Sequence, residues 1–221
     1  MLINNKYDYK PLIRQEENGL RKYNTPDGKK LVSVTTILDK TSDKSHLVEW
    51  VKRVGVDESN KIKTEAAGLG GNLHQNLENY ILGKDLSGSF MSKALANVII
   101  KNGLTKVNEV WGTEVALYSK ELYAGTSDLV GIFNNKPSII DFKNSLKDKK
   151  KEWIDNYLMQ LCAYSLSHNE MYGTDINQGV VMIATRDAKY QEFIIEGDEF
   201  KHYENMWLDR VYSYYEKFGF E

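Results

Sequence analysis

The order of hydrophobic periodicities along this chain predicts an α/β protein, a mixed central sheet flanked by helices with a helical cap toward the N-terminus. Two observations carry that reading. Apolar residues recur at helical spacing through the first half, whereas the second half runs three strands, helix, two strands, helix. Within it, Gly125-Thr126-Ser127-Asp128-Leu129-Val130-Gly131 and Ser138-Ile139-Ile140-Asp141-Phe142-Lys143 flank Asn134-Asn135-Lys136-Pro137, a turn signal. The two runs therefore form neighbouring strands of a hairpin, each carrying an aspartate.

Residues 1–30 are polar and contain Asn24-Thr25-Pro26-Asp27-Gly28, a strong turn, which predicts a short hairpin or arm laid on the body. Residues 31–221 read as one domain, helical over about 31–105 and built of sheet and helix over about 106–221. The run Val34-Thr35-Thr36-Ile37-Leu38 leads toward a helix holding Leu47, Val48, Trp50 and Val51. A helical segment from about Glu58 enters Gly68-Leu69-Gly70-Gly71-Asn72, and the next helix carries Leu73, His74, Leu77, Glu78, Tyr80 and Ile81. Another helix spans about residues 91–100, and a strand near 110–118 precedes the hairpin. A long amphipathic helix then presents Trp153, Tyr157, Gln160, Leu161, Tyr164 and Leu166. Strands at 179–184 and 190–195 and a final helix from about Glu199, with Trp207, Val211 and Tyr214, complete the order.

A chain of 221 residues with an ordinary apolar fraction can bury a substantial core. It contains no long apolar run and no signal-peptide pattern at its start, so the expectation is a soluble cytoplasmic protein without a membrane partner. Cys162 is the single cysteine, which excludes an internal disulfide and any multi-cysteine cluster, and its helical setting makes it a packing residue. The net charge of −2 is unevenly spread. Lys143, Lys147, Lys149, Lys150 and Lys151 crowd together, while residues 187–221 carry nine acidic side chains against four Lys or Arg. A lysine run alone is a solvated loop; beside a phosphodiester site it becomes a backbone contact.

The chemistry centres on the hairpin. Alternation along a strand puts Asp141 and Lys143 on one face and Ile140 and Phe142 on the other. Two carboxylates suit a hard cation such as Mg²⁺ or Mn²⁺, and an ammonium beside it can orient water or neutralise a phosphoryl group. A D-x-K triplet also arises by chance, but charges closing an apolar strand are costly unless paired or metal-bound. His74 and Glu78 share a helix face, an arrangement equally common in surface pairs. Gly70 and Gly71 before them are placed at a helix start, where backbone can approach another element or a phosphate. Glu114 on the preceding strand is either a third carboxylate for the cation or an exposed strand residue. Gln160 and Tyr164 share a helix face, with solvent exposure and core packing as the alternative.

Taken in order, Gly70 to His74, Glu114, Gly125 to Asp128, Asp141-Phe142-Lys143 and Gln160 to Tyr164 resemble the motif series of RecB-type nucleases of the PD-(D/E)XK superfamily. The Val32-Ser33-Val34-Thr35-Thr36-Ile37-Leu38 opening, Glu49-Trp50 and Ile140-Asp141-Phe142-Lys143-Asn144-Ser145 make the chain most similar to the mitochondrial genome maintenance exonuclease group and its phage and bacterial relatives. The resemblance covers roughly residues 31–217 and leaves the N-terminal arm unaccounted for. It implies a restriction-endonuclease-like core and a metal-dependent DNA exonuclease acting on single strands or DNA ends, in phage or bacterial replication, recombination or degradation. It further implies Asp128 and Asp141 as metal ligands with the Phe142 carbonyl, His74 as a further ligand or its neighbour, and Lys143 as the residue that positions the water. Gln160 and Tyr164 would support that catalytic group. No arginine-rich transit segment precedes the body and the multi-cysteine signature of the iron–sulfur branch is absent, so those branches are disfavoured. The competing expectations are an endonuclease of the same superfamily and a non-catalytic DNA-end-binding module.

Overall fold

A computed structural model describes residues 1–220. In chain order it comprises β1 (Leu2–Ile3), β2 (Ile13–Glu17), β3 (Leu20–Asn24), β4 (Lys30–Val32), α1 (Val34–Thr41), α2 (Ser45–Val54), α3 (Val56–Ile81) and α4 (Phe90–Asn102). There follow β5 (Val107–Tyr118), β6 (Ala124–Phe133), β7 (Lys136–Ser145), α5 (Asp155–Tyr172), β8 (Gln178–Thr185), β9 (Tyr190–Glu196) and α6 (Gly197–Phe218).

The strands β2, β3 and β4 form a small antiparallel sheet. Its hairpin turns at Asn18-Gly19, both with positive φ (52° and 74°), the two-residue geometry that matches the twist of the flanking strands. The turn at residues 24–28, expected to close the hairpin, instead links β3 to β4. Thr25 holds it through its hydroxyl, which accepts from Lys29 N at 3.1 Å. Ser33 then ends β4 and caps α1, its Oγ accepting from Thr36 N at 3.0 Å.

The main sheet has six strands in the order β1-β5-β6-β7-β8-β9. It is mixed: β7 and β8 are parallel, joined across α5, while β5/β6, β6/β7 and β8/β9 are antiparallel. The β6–β7 turn is Asn134-Asn135, again with two positive φ values (47° and 66°), so both strands run further than the sequence suggested. Pro137 is tolerated in β7 because pairing with β8 begins only at Ile139.

Each face of the sheet carries its own core. Ile139, Val181 and Ile183 pack with Leu158, Leu161 and Cys162 of α5 and Trp207 of α6, together with Ile37 of α1. On the other face Leu129, Ile140, Phe142 and Met182 pack with Leu73 and Leu77 of α3 and Leu95 and Ile99 of α4. This corrects the expected helical cap: α4 and the C-terminal half of α3 are a flanking layer of the sheet. Only α2, which buries no side chain, and the largely exposed first half of α3 extend away from it. It also corrects the helix boundary, since α3 is one 26-residue helix and Gly70 and Gly71 lie inside it. Gly70 serves a close approach there, because a Cβ would stand 3.2 Å from Asn144 Nδ2 beyond Lys143. Among the described residues no helix is long and apolar enough to cross a membrane.

Candidate active site

The β6–β7 ladder pairs Leu129 with Ile140 and then stops. Continued by one residue, that register sets Asp128 opposite Asp141, but the backbone bond is missing and the Asp128 carboxylate replaces it: Phe142 N donates to Asp128 Oδ2 at 2.7 Å. On the other side, β5 and β6 pair Thr113 with Leu129 and Val115 with Ser127, skipping the position that sets Glu114 opposite Asp128. Glu114 has a left-handed backbone (φ 49°), a conformation uncommon for a non-glycine residue within a strand and costing about 1 kcal/mol or more. Three carboxylates on adjacent strands thus stand in one row where both ladders are interrupted.

His74 reaches this row from α3, its Nδ1 3.1 Å from Asp128 Oδ1. With Asp128 ionised, the proton of this bond sits on Nδ1, and in the neutral imidazole the Nε2 lone pair is left for another partner. Ligand atoms of His74, Glu114 and Asp128 all lie within 4.8 Å of one another. Lys143 follows Asp141 on the same strand face, its Nζ donating to Asp141 Oδ1 at 2.7 Å and lying 2.6 Å from Oδ2. Both oxygens of the buried Asp141 carboxylate thus contact the one ammonium. An N/O donor set of this kind fits a hard divalent cation.

The charges respond to burial and to each other. Burial pushes the Asp141 carboxyl up to about 6, against the opposing pull of Lys143, with the Asp128 charge adding to the rise. Burial likewise lifts Glu114 to about 7, the Asp128 charge adding to it, although part of its side chain is open to solvent. For Asp128 burial is outweighed by His74 and Lys143, and its carboxyl lies below the usual range. His74 is raised because the Asp128 charge and hydrogen bond outweigh burial, and Lys143 because Asp141 and Asp128 do so.

These groups open into a cleft of about 290 Å³ lined by His74, Glu114, Asp128 and Lys143 together with Gln160 and Tyr164 of α5. Gln160 Nε2 donates to Tyr164 Oη at 3.3 Å, and Tyr164 covers Gly125, where a Cβ would fall 2.8 Å from the ring. Tyr157 of α5 lies beneath Lys143, whose Nζ is 5.1 Å from the ring centroid. Glu78, by contrast, takes part in a surface bond with Gln75. The Lys147–Lys151 run does not line the cleft: Lys151 is held by Glu199 at 2.6 Å, and Lys150 lies over Trp153. The opposite wall is the small N-terminal sheet, through Leu12, Arg14, Arg21 and Tyr23, with Ser33 and Thr35. Sequence reasoning missed this wall, although Asn18-Gly19 between alternating residues was the signal that could have found the hairpin.

No protein-family model matches this chain, and no curated protein matches it. The solved structures similar to it in part include the following two. One is a "putative exonuclease" from Eubacterium rectale, 14% identical, covering 67% of this chain and 65% of that chain with a TM-score of 0.48. The other is SSO0001, 17% identical, covering 81% of this chain and 84% of that chain with a TM-score of 0.42. At these scores neither likeness carries a family or an activity to this chain.

Proposed function

We propose that this protein is a metal-dependent deoxyribonuclease of the PD-(D/E)XK type that hydrolyses phosphodiesters of single-stranded DNA or DNA ends as an exonuclease. The observation that carries the reading is the row Glu114, Asp128, Asp141 closed by Lys143 and His74. Asp128, Asp141 and Glu114, with His74 and the Phe142 carbonyl, are the residues that would hold Mg²⁺ or Mn²⁺. Such an ion supplies Lewis-acid polarisation of the phosphoryl oxygen and charge neutralisation.

The chain's own groups do the rest. Lys143, kept protonated by two carboxylates, orients the attacking water in line with the leaving oxygen and offsets negative charge on the phosphoryl group. Asp141 holds that ammonium in place, and the Phe142 N–H and His74 fix the Asp128 carboxylate. Gln160 and Tyr164 form the wall against which a nucleotide lies, with Tyr157 beneath Lys143. Hydrolysis in this sense leaves a 5′-phosphate. The setting that suits it is replication, recombination or degradation of DNA in a bacterial or phage-infected cell.

The test is hydrolysis of an end-labelled linear single strand and a closed single-stranded circle by the same enzyme with Mg²⁺ or Mn²⁺. Degradation of the linear strand with survival of the circle is the expected result. Cutting of the circle makes the protein an endonuclease, and tight binding without cleavage of either makes it a binding module.

A further inference from the structure

The N-terminal hairpin supplies the only guanidinium groups that line the cleft among the described residues. Register pairs Arg14 with Tyr23 and Glu16 with Arg21, and directly paired residues share a face, so all four stand on one side of the hairpin. Tyr23 fixes that side against the main sheet. It is buried with Leu31 and Ala124, and its hydroxyl lies 3.5 Å from Thr126 Oγ1. Thr126 is two residues before Asp128 on β6, about 7 Å along the strand, which is of the order of the step between successive phosphates in an extended strand.

The two arginines differ in what they hold. Arg14 Nη2 donates to Glu16 Oε1 at 3.2 Å at the exposed end of the face. Among the described residues Arg21 has no carboxylate partner, and its Nε is buried with no acceptor. A buried guanidinium nitrogen without an acceptor is costly unless an acceptor arrives from outside the chain. A guanidinium presents a planar fork of donors that matches the oxygens of a phosphodiester. The acidic row repels such an anion, so its neighbours on the strand need positive charge close by, and the Lys147–Lys151 loop lines no part of the cleft.

We propose that Arg21, with Arg14, is a phosphate clamp: it binds the backbone phosphate of a single-stranded nucleic acid next to the one held at the carboxylates. The clamp thereby sets the position at which the strand is presented. This rests on the nuclease reading, and the following experiment separates the two.

Binding of a fluorescent oligothymidylate is measured by anisotropy over a salt series in EDTA, for the wild-type protein, Arg21→Gln, the double variant Arg14→Gln/Arg21→Gln, and Glu16→Gln. The double variant should bind about tenfold or more weakly, and its log–log salt slope should fall by about 1.4, at about 0.7 for each lost contact on single strands. Glu16→Gln, which frees Arg14, should bind more tightly. With Mg²⁺ or Mn²⁺ the double variant should raise KM for the oligonucleotide more than it lowers kcat. Circular dichroism melts establish that the variants are folded. An unchanged slope in the folded double variant overturns the clamp even if hydrolysis by the wild type is intact. A lost slope with no hydrolysis by the wild type upholds the clamp and overturns the nuclease reading. Failure of the wild type to bind the oligonucleotide overturns both.

Discussion

Replacing Lys143 by Met should make the stability of this protein depend steeply on pH. The ammonium is 20% exposed and Asp141 3% exposed, and their 2.6 Å contact is the ion pair that holds this carboxylate inside the protein. In the wild type the Asp141 carboxyl already sits at about 6, raised from 3.8 chiefly by burial. Because the folded chain holds that proton more tightly than the unfolded chain, the group favours folding at low pH, and this contribution is lost as pH rises through about 6. Without Lys143 the strongest opposing influence disappears, and the folded carboxyl rises further. Breaking one side of a buried pair costs about 3 to 5 kcal/mol, while a lost hydrogen bond alone costs about 1 kcal/mol. At pH 5 the variant protonates Asp141 and should lose only about the smaller amount. At pH 8 it should lose close to the larger one, a fall in Tm of roughly 6 to 20 °C at about 2 to 4 °C per kcal/mol for a chain of this size. The assay is circular dichroism melts at both pH values with EDTA. Asp141→Asn introduced into the same variant should recover most of the pH 8 loss, a coupling of up to about 3 kcal/mol. A loss of equal size at pH 5 and pH 8, or no recovery in the double variant, would show that the lysine packs there without compensating a buried charge.

Three further outcomes follow from the same geometry. Asp128→Ala and Asp141→Ala should each abolish phosphodiester hydrolysis in a folded protein, and Lys143→Ala should lower kcat by about 10² to 10⁴; wild-type-like turnover by either aspartate variant removes the site assignment. The thermal shift produced by Mg²⁺ or Mn²⁺ should grow between pH 6 and pH 8, because Glu114 titrates at about 7 and must be deprotonated to hold a cation. Glu114→Gln should flatten that dependence, which melts over a pH series will show. Gly125→Ala should push Tyr164 off β6 and cost about 1 to 3 kcal/mol, read as a lower denaturant midpoint together with weaker oligonucleotide binding.

The chemistry of the main sheet was legible because it is written at short range. The alternation through Ile139, Ile140, Asp141, Phe142 and Lys143 assigns faces without any tertiary information, and the structure keeps those faces, with Ile140 and Phe142 in one core and Ile139 in the other. What failed to be legible depends on partners distant in sequence. Gly70 looks like a helix start because glycine is unfavourable within helices by about 1 kcal/mol, and only its proximity to Asn144 shows why α3 continues through it. The left-handed backbone of Glu114 leaves no trace in composition, since the interruption of pairing that produces it is shared between β5 and β6. The place of the lysine loop relative to the cleft was not legible either. The loop's charge density suggested a nucleic-acid contact at the mouth of the site, whereas Lys151 is paired with Glu199 and the loop does not line the cleft.

The site exists because two ladders are interrupted next to each other. Continuous pairing of β5, β6 and β7 through this level would leave the like charges of residues 114, 128 and 141 opposed across neighbouring strands, which is destabilising. Here the ladder between β6 and β7 ends after Leu129–Ile140, and the carboxylate of Asp128 takes over the N–H of Phe142 that pairing would have used. The same side chain therefore terminates the sheet and, through its second oxygen, meets His74. The Asp141 carboxylate is held by Lys143, and burial lifts Glu114 to about 7 with the Asp128 charge adding to the rise. The three carboxylates of the row face the single ammonium of Lys143 and the His74 imidazole, and the remaining wall of the cleft comes from a hairpin whose Tyr23 meets Thr126, two residues from Asp128. Binding of a divalent cation at the row and of a phosphate at the hairpin would each relieve a penalty that folding alone leaves in place.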